Sequence, residues 1–96
     1  MFVVLLRYTQ PLSAIDVHVE EHRRFLDRHY AAGIFLASGA KIPRTGGVIL
    51  AHRLSREELD AVLAEDPFKR ERLAAYDVIE FRPSKFAPGL ESLFQA

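Results

Sequence analysis

Apolar residues in this chain form three short continuous runs, one interrupted run towards the end of the sequence, and two segments with helical spacing. The continuous runs lie within residues 2–6, 34–38 and 48–51, and Arg7-Tyr8 extends the first of them. The interrupted run holds Val78, Ile79 and Phe81, preceded by Tyr76. Runs of this length that are rich in aliphatic and aromatic residues are typical of buried strands. One helical segment follows the first run and the other follows the third. The pattern predicts the element order strand, helix, strand, strand, helix, strand.

The first helical segment is strongly amphipathic. Its apolar side contains three histidines at helical spacing, and acidic and basic residues occupy the opposite side. The residues on the apolar side are Ile15, His18, Val19, His22, Phe25, Leu26, His29 and Tyr30. Ser13 with Asp16 is typical of a capped helix start, and Gly33 is typical of a left-handed helix end. The sequence therefore predicts one helix from Ser13 to about Ala32.

The second helical segment has clear start and stop signals. Ser55 and Glu58 have the spacing of a capping box, in which each side chain bonds the backbone N–H of the other residue. Pro67 disfavours helical backbone at the preceding residue, so this helix should end near Glu65. A short helical turn should follow, with Asp66 as its N-cap and Pro67 at its first position. The proline-containing tail allows at most one further helical turn.

This element order folds most simply into one α+β domain over residues 1–96. Two right-handed crossover units give the ferredoxin-like βαββαβ arrangement, with a four-stranded antiparallel sheet and both helices on one face. The first two strands are apolar at consecutive positions, so the other face should also be buried. Because no segment is left to cover it, we expect a second copy of the chain, in a homodimer with facing sheets. The sequence does not separate a dimer from a larger assembly.

Composition and charge exclude several function classes. Lysine plus arginine equals aspartate plus glutamate at 13 each, so no net charge would attract nucleic acid or an anionic membrane. The chain has no cysteine, which excludes disulfides, thiol nucleophiles and thiolate zinc sites. The opening apolar run is too short for a signal peptide, and no run has the length of a membrane span. We therefore expect a cytoplasmic protein with no nucleic-acid or membrane partner.

In order and spacing, the motifs resemble the YCII-related family, small proteins of the dimeric α/β-barrel type. The segments that carry the resemblance are Arg7-Tyr8, His22, Phe25-Leu26, Gly33, residues 35–39, residues 43–50, Asp66-Pro67-Phe68 and Tyr76. The resemblance implies a His–Asp pair in a pocket, which maps onto His22 and Asp66, with Ser38 nearby. The best-defined activity of the family is removal of chloride from a chlorinated hydroxyhydroquinone. The resemblance therefore implies a dehydrochlorinase-like lyase that needs no cofactor.

Both members of this pair also have a structural interpretation. A histidine on an apolar helix face is more often a satisfied core residue, and Asp66 would cap the turn that begins at Pro67. The resemblance favours the catalytic interpretation, in which His22 takes a hydroxyl proton from a small phenolic substrate and later returns one. Asp66 would orient the ring and stabilise the imidazolium. If Asp66 has both roles, we expect one carboxylate oxygen to cap and the other to reach His22.

Three further residues are candidates for substrate binding. Ser38, at the end of the second strand, could position a substrate through its hydroxyl, although small residues are common there for packing reasons. Arg44 could hold a phenolate or a departing anion, although most loop arginines face solvent. Tyr8 could line the pocket or simply pack against it. His18 and His22 are four residues apart and His29 is two turns beyond, but the nearby Glu20 and Glu21 point away on the polar face, so we expect no metal.

These observations leave three functional hypotheses. The leading one is a small enzyme in which His22, oriented by Asp66, moves protons on a small cyclic or aromatic substrate, with elimination of halide as the favoured reaction. The alternative is a ligand-binding or regulatory dimer that holds a small molecule without changing it. The third is an accessory protein that adds its open sheet face to another protein.

Overall fold

The four strands form a single antiparallel sheet, as the hydrophobic runs predict. The structure, a computed structural model, describes residues 1–94. Its strands are β1 (Phe2–Tyr8), β2 (Phe35–Ala40), β3 (Gly46–Ala51) and β4 (Ala74–Glu80). They lie in the order β2-β3-β1-β4, with every neighbouring pair antiparallel. This arrangement confirms the predicted α+β, ferredoxin-like fold.

Within residues 1–94, five helices connect and follow the strands. They are α1 (Leu12–Val17), α2 (Val19–Ala31), α3 (Arg56–Leu63), α4 (Pro67–Arg70) and α5 (Glu91–Phe94). Within residues 1–94, none has the length and apolar composition needed to cross a membrane. The predicted first helix is in fact two helices, because His18 leaves the helical region at φ −108° and ψ 5°.

The predicted Ser13 cap is wrong. The N-cap is Pro11, two residues before Ser13, and no side chain bonds the first N–H groups of the helix. The Pro11 carbonyl accepts hydrogen bonds from the N–H groups of Ala14 and Ile15 instead, at 2.9 and 3.2 Å. Pro11 has the extended backbone typical of an N-cap, with φ −59° and ψ 153°, and its carbonyl is the acceptor with which the helix begins.

The helices cover one face of the sheet only. Along β1, the side chains of Phe2, Val4 and Leu6 are buried, whereas Val3 and Leu5 between them are partly exposed. Alternate strand residues point to opposite faces, so this pattern assigns the buried set to the helix side. The helices and the turn at α4 contribute Ile15, Phe25, Leu59, Leu63 and Phe68 to the same core. The core therefore lies between the sheet and the helices.

Both predicted caps in the second half of the chain are present. The Ser55 hydroxyl accepts from the Glu58 N–H, and the Glu58 carboxylate accepts from the Ser55 N–H. These bonds hold the pKa of the Glu58 carboxyl below its usual value. Asp66 accepts from the Phe68 N–H at 3.0 Å, and Pro67 is the first residue of α4. The two caps place the Asp66 side chain at the junction between α3 and α4.

The loop before β3 is packed directly against β1. A Cβ at Gly46 would lie 1.8 Å from the Leu6 carbonyl oxygen, so only glycine fits this close approach. At the preceding residue, the Thr45 carbonyl accepts from the Tyr8 N–H at 2.9 Å. These backbone contacts fix the loop that carries Arg44.

His52 connects the end of the hairpin to the C-terminal helix. It is buried, and its Nε2 and Nδ1 atoms lie 3.0 Å from the Gly33 carbonyl oxygen and 3.2 Å from the Leu93 carbonyl oxygen. The sequence assigns this histidine no role, because it follows a strand with no periodic pattern around it. It has a structural role, tying two loops and the tail together.

The other face of the sheet is apolar along its centre and uncovered in a single chain. The strand register places Val3 between Leu50 and Ile79, and Leu5 beside Val48. Ile79 is 51% exposed, and the side chains of the other four residues of this face are partly exposed: Val3, Leu5, Val48 and Leu50. Contiguous apolar surface of this kind is typical of an interface. The homodimer, and any larger assembly, stays a prediction.

We expect a Leu50→Lys variant to dissociate into monomers. A lysine here would place a charge at the centre of the interface, where its desolvation should weaken association by at least about 2 kcal/mol, roughly thirtyfold. Sedimentation velocity over a range of concentrations measures the effect. Leu12→Lys, at an exposed position on the helix side, is the matched control. A monomeric wild-type chain, or a Leu50→Lys chain that associates as tightly, would contradict the dimer through this face.

Candidate functional site

A cleft of about 640 Å³ opens between the first two helices and the β2–β3 hairpin. Its volume is in the range of sites for small molecules. The residues important to its chemistry are Tyr8, Asp16, His22, Ser38, Arg44 and Phe68. Four of the five predicted site residues therefore line one cleft, although they come from four different parts of the chain. The fifth, Asp66, is fully buried behind His22.

His22 and Asp66 are joined by a hydrogen bond across 44 positions of sequence. Nδ1 of His22 lies 2.8 Å from Oδ1 of Asp66, and the His22 side chain is 16% exposed. An ionised carboxylate can only accept hydrogen bonds, so Nδ1 must carry the ring proton. In the neutral imidazole, Nε2 then has a free lone pair. His22 is therefore able to accept a proton at Nε2 from a molecule in the cleft.

One carboxylate oxygen both caps α4 and bonds His22. Oδ1 of Asp66 accepts from the Phe68 N–H at 3.0 Å as well as from the imidazole. The expectation that each oxygen has one of these roles is therefore wrong. A carboxylate oxygen has two lone pairs, so Oδ1 can accept both from the Phe68 N–H, two residues along the turn, and from the His22 ring of α2. The second oxygen, Oδ2, is left for another partner.

That partner is the hydroxyl of Tyr76, which donates to Oδ2 at 2.5 Å. Burial, together with the negative charge of Asp66, raises the pKa of Tyr76 well above its usual value. The phenol therefore stays protonated and donates throughout the physiological pH range. The sequence places Tyr76 only as a residue near the last strand. Its pairing opposite Leu6, a core position of β1, is the signal that places it on the helix side.

Phe68 fixes the plane of the His22 ring. The two rings stack with centroids 4.1 Å apart and planes 11° from parallel. The Tyr8 ring meets Phe68 edge to face at 5.9 Å. Offset and edge-to-face contacts of this kind favour one ring orientation. The turn from Asp66 to Phe68 therefore supplies both the hydrogen-bond partner of the imidazole and its stacking partner, a role for Phe68 that the sequence does not reveal.

A surface ion pair links the same two helices. Arg70 in α4 donates to both carboxylate oxygens of Glu21 in α2, at 2.6 and 2.9 Å, and also bonds Glu71. The hydrogen bond from Arg70 lowers the pKa of Glu21. All three side chains are more than two-fifths exposed, so solvent screens the pair and its stabilising effect is small. It adds a two-point contact between α2, which carries His22, and α4.

The polar residues elsewhere in the cleft are also held by partners. Arg44 donates to the Asp16 carboxylate at 2.6 Å, and this contact raises the pKa of Arg44. The Ser38 hydroxyl lies 2.6 Å from the hydroxyl of Tyr30. Arg44 is therefore anchored to α1 rather than free in a loop, and Ser38 is oriented from α2. The sequence does not reveal Asp16 or Tyr30 as partners of these residues.

The other two histidines of this segment lie apart from the cleft lining. Nε2 of His29 lies 3.1 Å from the Glu65 carboxylate, and the ring packs against Phe25 and Phe35. His18 is at the break between α1 and α2. Within the part of the chain that the structure describes, no group of three or more acidic or histidine side chains is arranged to hold a metal ion.

Comparisons with known proteins agree with this architecture. The model of a family described as the YCII-related domain matches residues 1–82. A solved structure of a 5-chloro-2-hydroxyhydroquinone dehydrochlorinase from Burkholderia phenoliruptrix, in complex with 2,5-dihydroxybenzoquinone, is similar with a TM-score of 0.70. The two sequences are 19% identical over 84% of this chain and 93% of that chain, so the likeness shows a shared fold. No curated protein matches the sequence significantly.

The raised pKa of Tyr76 predicts an effect at alkaline pH. The unfolded chain ionises this phenol near pH 10.0, whereas the folded chain keeps it protonated at higher pH. The protonated Tyr76 hydroxyl thus contributes fully to the stability of the folded chain below about pH 10, and this contribution declines as the pH rises above that value. Ultraviolet titration of tyrosinate should give equal amplitudes for wild type and Tyr76→Phe until the chain unfolds. A smaller amplitude for folded Tyr76→Phe would show that Tyr76 ionises normally.

Proposed function

Because the chain belongs to the YCII-related family, we propose that it is a small enzyme in which His22 and Asp66 perform general acid–base chemistry without a cofactor. The substrate is a small cyclic or aromatic molecule bound in the cleft. The observation that carries the proposal is the 2.8 Å hydrogen bond between Nδ1 of His22 and the buried carboxylate of Asp66. That contact leaves Nε2 as the proton acceptor.

His22 is the residue that moves the proton. Nε2 takes a proton from a substrate hydroxyl and can later deliver one to a ring carbon. The imidazolium formed in between has its Nδ1–H directed at Asp66, and the carboxylate stabilises this positive charge. The stacked Phe68 ring keeps the imidazole plane fixed during both transfers. The His22 side chain therefore acts first as the base and then as the acid.

Asp66 remains an acceptor throughout this cycle. Its charge is buried, and it is stabilised by donors from His22, the Phe68 N–H and the Tyr76 hydroxyl. Hydrogen bonds to a charged group are worth about 1.5–3 kcal/mol each. Three such bonds offset the loss of solvent, so the aspartate orients and stabilises the ring without taking the proton itself.

Arg44, Ser38 and Tyr8 are the groups for substrate binding. The Arg44 guanidinium suits a phenolate oxygen or a departing halide, because it donates several hydrogen bonds from a fixed positive charge. Ser38 and Tyr8 add hydroxyl groups that can bond ring oxygens. Leu6 and Phe68 supply apolar wall for a flat ring. Oxygenated aromatic rings fit this combination of surfaces.

The favoured reaction is loss of hydrogen chloride from a chlorinated hydroxyhydroquinone, giving a hydroxyquinone. The fold shared with a dehydrochlorinase supports this choice. A hydroxyl proton is removed, a proton is added to the carbon that carries chlorine, and chloride leaves with its bonding pair as a second hydroxyl proton is lost. The net products are the quinone, one proton and one chloride, so no external oxidant is needed.

We expect His22→Gln and Asp66→Asn to lower turnover strongly. Loss of general acid–base catalysis typically costs about 10²- to 10⁴-fold, and Asp66→Asn should show the smaller loss because it retains the imidazole. Chloride release from 5-chloro-2-hydroxyhydroquinone measures the rate. His18→Gln, on the same helical segment but outside the cleft lining, is the matched control.

Two results would contradict this proposal. Folded His22→Gln and Asp66→Asn chains that release chloride at the wild-type rate would exclude the dyad. A wild-type chain that binds the chlorinated ring by calorimetry but releases no chloride would favour the ligand-binding alternative.

A further inference from the structure

The second oxygen of Asp66 has a hydrogen bond that the proposed proton transfers do not use. Oδ1 accepts hydrogen bonds from the His22 ring and from the Phe68 N–H, whereas Oδ2 accepts one from the Tyr76 hydroxyl at 2.5 Å. No other donor within residues 1–94 bonds this oxygen. Since Asp66 is fully buried, water cannot replace a lost donor without a structural change.

We infer that Tyr76 is a positioning residue for the His22–Asp66 pair: by holding Oδ2, it keeps the carboxylate turned so that Oδ1 faces Nδ1 of His22. The effect of Tyr76 on catalysis rests on the proposed function, whereas its effect on the orientation of the pair does not. Tyr76 acts through Asp66 and does not itself line the cleft.

The need for a third donor follows from the freedom of an aspartate side chain. The terminal torsion of aspartate has a broad energy well, so the carboxylate can rotate about its own axis. Two donors on Oδ1 do not prevent this, because either oxygen can accept from the Phe68 N–H. A donor placed on Oδ2 from β4, on the sheet side, removes that freedom. The carboxylate is then fixed by three elements: α2, α4 and β4.

The hydroxyl of Tyr76, rather than its ring, is the part that this position requires. The ring packs at the edge of the core, with the Lys69 ammonium 5.4 Å from its centroid, and phenylalanine would fill the same space. The hydroxyl adds only the bond to Asp66. Because burial and Asp66 raise the pKa of Tyr76, this hydroxyl keeps its proton and always donates.

A Tyr76→Phe variant removes the hydroxyl of Tyr76 and keeps its ring. We expect the solvent-exchange rate of the His22 Nδ1 proton, measured by NMR in the chain without ligand, to rise at least about tenfold, the factor for 1.4 kcal/mol. The control is Tyr30→Phe, which removes a hydroxyl that also has a short hydrogen bond, 2.6 Å to Ser38, but bonds no atom of Asp66. The exchange rate of the His22 Nδ1 proton should be the same in this control as in the wild-type chain. With 5-chloro-2-hydroxyhydroquinone, Tyr76→Phe should lower kcat several-fold and change KM little.

Each outcome bears on the inference independently of the proposed reaction. A folded Tyr76→Phe chain with an unchanged Nδ1 exchange rate overturns it. Faster exchange supports it even if the wild-type chain releases no chloride, a result that contradicts the proposed reaction alone. If Tyr76→Phe does not fold, the wild-type chain still provides a test. A slowly exchanging Tyr76 hydroxyl proton supports the inference, and one that exchanges freely with water overturns it.

Discussion

The buried carboxylate of Asp66 is the group on which the candidate site depends. Fully removed from solvent, it must find hydrogen-bond donors within the protein, and it bonds the imidazole of His22, the backbone of α4 and the hydroxyl of Tyr76. These donors come from three elements that are far apart in sequence. The hydrogen bonds to this one carboxylate therefore fix a helix, a turn and a strand relative to one another. The same contacts leave Nε2 of His22 as a proton acceptor.

The rest of the site adds three further contacts to this arrangement. Phe68 stacks on the His22 ring inside the protein, where packing is dense and the ring has little freedom. The pair of Arg70 and Glu21 joins the same helices at the surface, where solvent screens its charge. Across the cleft, Arg44 is held by Asp16. The His22 imidazole and the Arg44 guanidinium are thus both held in place by the protein itself, as the proposed acid–base chemistry requires.

Much of the fold and part of the site follow from the sequence, because they depend on local patterns. Three strands follow from continuous apolar runs and the fourth from an interrupted one, and the caps at Ser55 and Asp66 follow from residue type and spacing alone. The break at His18 was missed because the hydrophobic periodicity continues through it. The contact of Tyr76 with Asp66 depends on the register of β4 against β1, which no local pattern specifies. For His22 and Asp66, the family resemblance supplied what local pattern could not.

The most direct test of this account is the protonation pattern of the neutral His22 ring, read from its two ¹⁵N chemical shifts in the wild-type chain. The hydrogen bond to Asp66 predicts that the proton is on Nδ1 and that Nε2 is unprotonated. A ring with its proton on Nε2, or one that exchanges between the two forms as a free imidazole does, would contradict the contact with Asp66 and the acid–base role built on it.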